Sequence, residues 1–393
     1  MTARRTTTLE QTLSDLQSRG IASGDVRGVA ASVGDRSGIL FEGAFGTRDG
    51  EAPMTTDTIG WLASMTKPVT GAVAMQLVEA GDLDLDAPVA PVLPQLAEVQ
   101  VLDGFDAEGR PVLRPPTRPV TLRHLLTHTS GFCYEMWNAD LARYQEVART
   151  PSISTRRLAA LDVPLMFDPG DRWEYGISID LVGRVIEAIT GETLGERMRS
   201  RILEPLAMSS TTFGPDATTL ERLAGMHARA PDGSLVPIEV MVHAAAEFDM
   251  GGGGLYGTVG DYLRFLRMIL GDGSLDGARI LEPETVALMA SNNIGDRRVT
   301  RLVSIAPDRS NDAELLAGVP KSWGLTFQIN DEPAPTGRPA GGLMWAGLAN
   351  CYFWIDRTNG VGGVYMTQIL PFADERALGL YYAFETACYR EIT

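Results

Sequence analysis

Trp61-Leu62-Ala63-Ser64-Met65-Thr66-Lys67-Pro68-Val69-Thr70-Gly71-Ala72-Val73-Ala74-Met75-Gln76-Leu77-Val78 is the stretch that decides the reading of this chain. Only two lysines, Lys67 and Lys321, occur among its 34 lysines and arginines. Arginine replaces lysine at most surface positions but cannot give up its proton in a protein. A lysine kept against that bias suits chemistry that needs a neutral amine. Ser64 and Lys67 stand at i and i+3, so a helix beginning near Ser64 brings hydroxyl and amine onto one face. A serine nucleophile activated by a lysine needs this arrangement. A Ser-x-x-Lys pair also marks ordinary solvated helix starts, but the apolar flanks oppose that alternative. Pro68–Val78 reads as a buried helix ending at Gly81. Burial and the positive helix N-terminus both lower the pKa of an amine in the first turn.

Working outward, 393 residues with 44% hydrophobic and 21% charged content suit one large domain or two closely joined ones. The net charge of −16 opposes a nucleic-acid or anionic-membrane surface and leaves a small neutral substrate open. No apolar run approaches the roughly 20 residues of a membrane helix. Met1–Leu9 lacks the apolar core of a signal peptide, so the expectation is a cytoplasmic protein. Cys133, Cys351 and Cys388, odd in number and far apart, read as buried free thiols.

Leu9–Arg19 reads as an amphipathic helix, and Gly28–Val33 with Gly38–Phe45 as a hairpin. Residues 102–120 read as a loop rich in proline, glycine and arginine, and Thr121–Thr129 as a short helix. Helices are expected over Ile179–Thr190, Leu194–Leu203, Gly260–Leu270, just after Leu281, and over Ala373–Glu391. Strands are expected at Trp323–Ile329, Leu343–Trp345, Asn350–Ile355 and Gly362–Ile369, with a long irregular loop before them reaching about residue 318. Strands at both ends of the chain predict an α/β (α+β) fold. An antiparallel sheet flanked by helices would use residues 1–80 and 255–393, and a mainly helical insertion residues 81–254. The cleft between them would hold Ser64 at its floor.

Of the histidines His124, His128, His227 and His243, the first two are spaced to share a helix face. No glutamate lies between them, so a structural role is favoured over a metal pair, and no metal or cofactor is called for. Gly251–Gly254 lacks the Lys-Ser/Thr of a phosphate cradle and reads as flexible or close-packed backbone near the cleft. No Gly-x-Ser-x-Gly elbow occurs.

Ser64-Met65-Thr66-Lys67 resembles the nucleophile motif of class C β-lactamases, DD-peptidases and family VIII carboxylesterases, which share one β-lactamase/transpeptidase-like fold. The resemblance extends in order through His124–Gly131, Phe167-Asp168-Pro169-Gly170 with Trp173-Glu174-Tyr175, Glu204–Met208 and Gly252–Tyr256, covering about residues 15–390. It implies Ser64 as nucleophile, Lys67 and Tyr175 sharing the general-base and acid duties with either as the acylation base, and oxyanion donors at the backbone N–H of Ser64 and Leu348. A tyrosine beside an ammonium can be pushed toward phenolate. Two departures bear on substrate. Ile177 stands at the asparagine of the lactamase Tyr-x-Asn, and Trp345-Ala346-Gly347 resembles the Trp-x-Gly of family VIII esterases where lactamases carry Lys-Thr-Gly. Losing that carboxylate anchor to an apolar wall favours a neutral ester.

The expected activity is hydrolysis of short-chain acyl esters of small molecules through an acyl-enzyme. The alternatives are a β-lactamase/DD-peptidase-like amide hydrolase, an acyltransferase of the same fold, or an inactive binding homologue. Tyr134 and Trp137 are candidate cleft-wall residues, Phe248-Asp249-Met250 precedes the glycine run as a candidate border of the site, Ile177 and Phe248 are candidate substrate contacts, and Ser178 reads as a helix N-cap. Neither nucleic acid nor membrane is an expected partner, and homo-oligomerisation is left open.

Overall fold

In the computed structural model, which describes residues 3–239 and 246–392, the two ends of the chain build one sheet. The expected hairpin forms as β1 (Gly28–Asp35) and β2 (Ile39–Gly46). The C-terminal part adds β3 (Lys321–Trp323), β4 (Gln328–Asn330), β5 (Leu343–Gly347), β6 (Cys351–Asp356) and β7 (Val361–Met366). Their order across the sheet is β3-β4-β5-β6-β7-β1-β2, and every neighbouring pair is antiparallel. Strands β5, β6 and β7 are buried along their whole length, as strands covered on both faces must be.

Side chains of a strand alternate between faces, and β6 shows what each face meets. Tyr352 and Trp354 point to α6 (Glu375–Ile392), where Tyr352 stacks on Tyr381 at 4.6 Å and Trp354 meets Phe384 at 6.0 Å. Phe353 points the other way, to Tyr262 of α5 (Val259–Leu270) at 5.4 Å. Helix α1 (Ala3–Ala22) packs beside α6, so the sheet lies between two helical layers.

Behind α5's layer runs α2 (Thr66–Glu79), entered through a 3-10 turn at Ala63–Met65. Of its 14 residues, 11 are buried, the pattern of a helix enclosed on all sides. It packs on α4 (Ser178–Thr190), which also contacts α3 (Leu122–Leu126). Residues 63–79 are thus held between the sheet and the helical middle of the chain.

Several local expectations change. Residues 102–120 are not all loop: Val101–Phe105 pairs with Pro111–Arg114 as a short hairpin whose strands lack an apolar alternation, Val101 and Leu102 being buried in succession. Trp323–Ile329 is not one strand, because the chain reverses at Gly324–Phe327, where Thr326 has φ +77°, and splits into β3 and β4. Gly362–Ile369 also divides: Ile369–Leu370 leaves the main sheet to pair in parallel with Met226–Arg229. Ser178 is the first helical residue of α4, not its cap, and its hydroxyl pairs with that of Ser130 at 2.7 Å. The three cysteines are buried and free.

A buried ion pair ties α6 to the loop before β5. Arg338 donates from Nε and Nη2 to the two carboxylate oxygens of Glu385 at 2.7 and 2.9 Å, with both side chains fully buried. Removing one partner strands the other charge in a dry interior. Arg338→Leu should therefore cost about 3–5 kcal/mol, read as a lowered unfolding midpoint in urea, whereas Arg110→Leu at an exposed pair should leave the midpoint within error.

Candidate active site

The turn carrying Ser64 is clamped from several directions. Thr66 Oγ1 donates to Ala63 O at 2.7 Å and accepts from Leu255 N–H at 3.0 Å, and the Tyr262 hydroxyl donates to Met65 O at 2.9 Å. Ala63 itself takes φ +46°, a left-handed conformation costly for a residue with a Cβ and kept only where surroundings enforce it. Strand β5 reaches this turn at Gly347: a Cβ there would stand 2.3 Å from Leu62 O, so only glycine permits the approach. Leu348, the next residue in the chain, is half-buried.

Lys67 is fully buried, and its Nζ has three partners: Ser64 Oγ at 3.1 Å, Tyr134 Oη at 3.0 Å and Gly252 O at 2.6 Å. A neutral amine has two donors and one acceptor. Gly252 O can only accept, while each hydroxyl can accept or donate; Nζ donates to all three acceptors, and no carboxylate among the described residues touches it. Burial lowers the Lys67 pKa to about 7 against the opposing pull of Asp180.

Asp180, in the first turn of α4, was not singled out in the sequence. It is fully buried, and its Oδ1 accepts from Gly252 N–H at 2.8 Å, so the Gly252 peptide links carboxylate to amine. Burial raises the Asp180 pKa, opposed by the Lys67 charge and the Gly252 N–H. A Cβ on Gly252 would lie 2.5 Å from Asp180 Oδ2, and one on Gly251 2.8 Å from Ile179 O. The glycine run is therefore close-packed backbone wrapped on the start of α2, with Thr70 Oγ1 donating to Gly251 O and the Trp61 indole to Gly253 O, both at 2.8 Å.

Tyr175 closes the other side. Its ring lies 4.7 Å under Lys67 Nζ, and its oxygen accepts from the Trp345 indole N–H at 2.9 Å. The expected drift toward phenolate does not occur. Burial drives its pKa above the usual phenol value, and hydrogen bonds from Ser64 and Trp345 only partly offset this. The phenol is a neutral proton donor. Trp345 is also more than an apolar wall: its N–H holds the phenol oxygen while its ring packs edge-on against Trp323 at 4.7 Å.

His124 and His128 do not share a helix face. α3 ends at Leu126, and His128 has φ +56°. His124 completes the capping box of α3, accepting from Thr121 N–H, and burial lowers its pKa to about 4. His128, fully buried and neutral, accepts from Gly176 N–H at 3.4 Å with its ring 4.6 Å from that of Tyr175. His243 lies outside the described residues. Among the described residues no cluster of three or more metal-ligating side chains occurs.

Of the remaining candidates, Tyr134 is buried on Lys67, and Trp137 is half-buried with its ring 5.7 Å from that of Tyr175. Trp137, Trp173 and Tyr175 line a cleft of about 510 Å³. Ala346 and Gly347 are buried in β5 beside the Ser64 turn. Ile177 and Phe248 are core side chains, neither lining that cleft, and Asp249 accepts from Gly195 N–H at 2.8 Å as a structural anchor.

A sheet assembled from both chain ends, with a serine–lysine pair buried at the start of an enclosed helix, defines a β-lactamase/transpeptidase-like fold. The Beta-lactamase family matches residues 9–387, and the chain belongs to it. Lovastatin esterase from Penicillium rubens is 31% identical over 405 residues, spanning 94% of this chain and 96% of that protein. Monacolin J acid methylbutanoyltransferase from Aspergillus terreus is 31% identical over 350 residues, spanning 86% and 84%. The solved structure of the LovD6 mutant of simvastatin synthase from Aspergillus terreus superposes with a TM-score of 0.85 at 30% identity, covering 97% of this chain and 94% of that one. The relatives of this chain thus include both an esterase and an acyltransferase.

The free amine of Lys67 appears as pH rises through its pKa. Labelling of Ser64 by a fluorophosphonate should accelerate with pH around a midpoint near 7. Asp180→Asn removes the anion that holds the amine's proton, so the midpoint should move to lower pH; an unmoved midpoint would mean that Asp180 carries no charge there.

Proposed function

We propose that this protein is a serine carboxylesterase of the family VIII type, cleaving short-chain acyl esters of small molecules through an acyl-enzyme on Ser64. The observation that carries the reading is the 3.1 Å contact of Ser64 Oγ with a buried amine whose pKa is lowered to about 7. Such an amine is substantially unprotonated at neutral pH, without arginine's permanent charge.

In acylation, Lys67 takes the Ser64 proton as Oγ bonds to the ester carbonyl carbon. The oxyanion is received by the backbone N–H groups of Ser64 and Leu348, beside the close approach of Gly347. As the C–O bond to the alcohol breaks, Tyr175 gives its proton to the leaving oxygen. Its raised pKa suits this donor role, and the indole N–H of Trp345 stabilises the charge left on the phenol oxygen. The Lys67 ammonium then returns a proton to Tyr175. Water repeats the sequence in deacylation.

The geometry also favours esters over β-lactams. Trp345 spends its donor on Tyr175, and its neighbours on β5 are apolar, so this strand offers no cation to a carboxylate next to the scissile carbonyl. A second reading, acyl transfer to an alcohol acceptor, rests on the methylbutanoyltransferase relative and on the acyl-enzyme itself, which an alcohol can attack in place of water.

Ser64→Ala should abolish turnover of 4-nitrophenyl butyrate, and Lys67→Arg should do nearly the same because it keeps the charge but not the base; undiminished turnover in the purified serine variant would refute the assignment. Nitrocefin turnover should stay far below ester turnover. Trp345→Phe keeps an aromatic wall but loses the donor, so kcat should fall about tenfold in steady-state assays. Added 1-butanol should yield butyl butyrate by gas chromatography if transfer competes with hydrolysis.

A further inference from the structure

The cleft that ends on Tyr175 changes character toward its mouth. Its inner wall is aromatic, with Trp137, Trp173 and Tyr175. Its outer part is formed by the segment after the helix Pro283–Met289, which brings in Arg297, Arg298 and Arg301, with Arg172 also on the wall. Two carboxylates line the same space but are committed elsewhere. Glu174 holds Arg172 at 2.9 Å and the Asn138 amide at 2.6 Å, and Asp171 pairs with Arg118 at 2.5 Å. Arg301 is likewise held, by Asp312 at 2.8 Å.

Arg297 and Arg298 differ. Both are exposed, and among the described residues neither has a carboxylate within ion-pair distance. Their Nη1 groups donate to backbone carbonyls, Arg297 to Ile294 O and Arg298 to Arg297 O, each at 3.0 Å. A guanidinium has five N–H donors in a planar fork that matches a carboxylate. Two forks with spare donors therefore stand at the mouth of the cleft in a chain whose net charge is −16. Solubility does not call for them, and the field they create is opposite in sign to that of the whole protein. Leu302 and Val303 join the aromatic residues in lining the same cleft and give it an apolar part.

We propose that the cleft takes esters with an apolar span ending in a carboxylate, which Arg297 and Arg298 bind at the mouth while the ester sits at Ser64. This rests on the esterase reading and extends it. The anion lies at the far end of the substrate, not beside the carbonyl where the lactamase anchor is missing, so the preference for an uncharged scissile centre stands.

Two matched pairs of esters test it with the full-length protein. The acyl-side pair is 4-nitrophenyl hexanoate against the mono-4-nitrophenyl ester of adipic acid. The alcohol-side pair is phenyl butyrate against 4-butyryloxybenzoate. In one pair the carboxylate member should have a KM lower by about fivefold at low ionic strength, and the advantage should fade as salt is added. In the Arg297→Gln/Arg298→Gln double variant, the ratio of kcat/KM between the members of that pair should fall to its high-salt value; a ratio normalises away any loss of folded enzyme. No preference in either pair, or a preference that survives the double substitution, would overturn the proposal. Calorimetric titration of monohexyl adipate into the Ser64→Ala protein separates the two readings. Arginine-dependent binding without any ester turnover would sink the esterase reading alone, and turnover of neutral esters without such binding would sink the arginine site alone.

Discussion

The constraint on which this structure turns is the burial of one amine. Lys67 lies in the first turn of a helix closed in on nearly every side, and an ammonium there would lose its hydration without a full set of carboxylate partners. The chain surrounds it with a carbonyl and two hydroxyls instead, and no carboxylate among the described residues touches the amine. That arrangement requires the rest of the fold. The sheet delivers Gly347 against the Ser64 turn, α5 delivers the Tyr262 hydroxyl to Met65, and α4 delivers Asp180 to the Gly252 peptide. The left-handed Ala63 is held by the same clamp.

The other lysine shows that scarcity alone does not assign chemistry. Lys321 is also buried, yet its Nζ donates to Glu314 at 3.0 Å and to the carbonyls of Leu316 and Val319 at 3.0 and 2.9 Å. A carboxylate and two carbonyls are acceptors only, so this amine donates to all three and ties down the loop before β3. The two buried lysines thus differ in whether a carboxylate touches the amine, and hydrogen-bond inventory distinguishes them where composition does not.

The aromatic side of the site follows a similar logic. Tyr175 is ringed by His128, Tyr134, Trp137 and Trp345, at ring distances of 4.6 to 5.7 Å. Such a shell excludes water and raises the cost of a phenolate, so the phenol keeps its proton until a leaving group demands it. Trp345 supplies the one directed donor in that shell to the phenol oxygen. An apolar interior next to the scissile bond and a cationic mouth farther out divide the cleft into two environments.

Much of this could be read from the chain itself. The nearness of Ser64 and Lys67 is a matter of helical spacing, the burial of Pro68–Leu77 follows from its composition, and the β1–β2 hairpin from its turn residues. Tyr175 and Trp345 were reachable through motif resemblance but not through any local rule. The short strands at Val101–Phe105 and Pro111–Arg114, and the reversal at Thr326 between β3 and β4, escaped because their pairing depends on neighbours rather than on alternation. Asp180, the acceptor role of Gly252 O, the neutral state of the Tyr175 phenol and the indole donor of Trp345 belong to tertiary structure alone. Spacing along one helix is set by covalent geometry and is visible in a string of letters; protonation states and hydrogen-bond partners are set by which distant segments share a desolvated space, and only the folded chain brings those segments together.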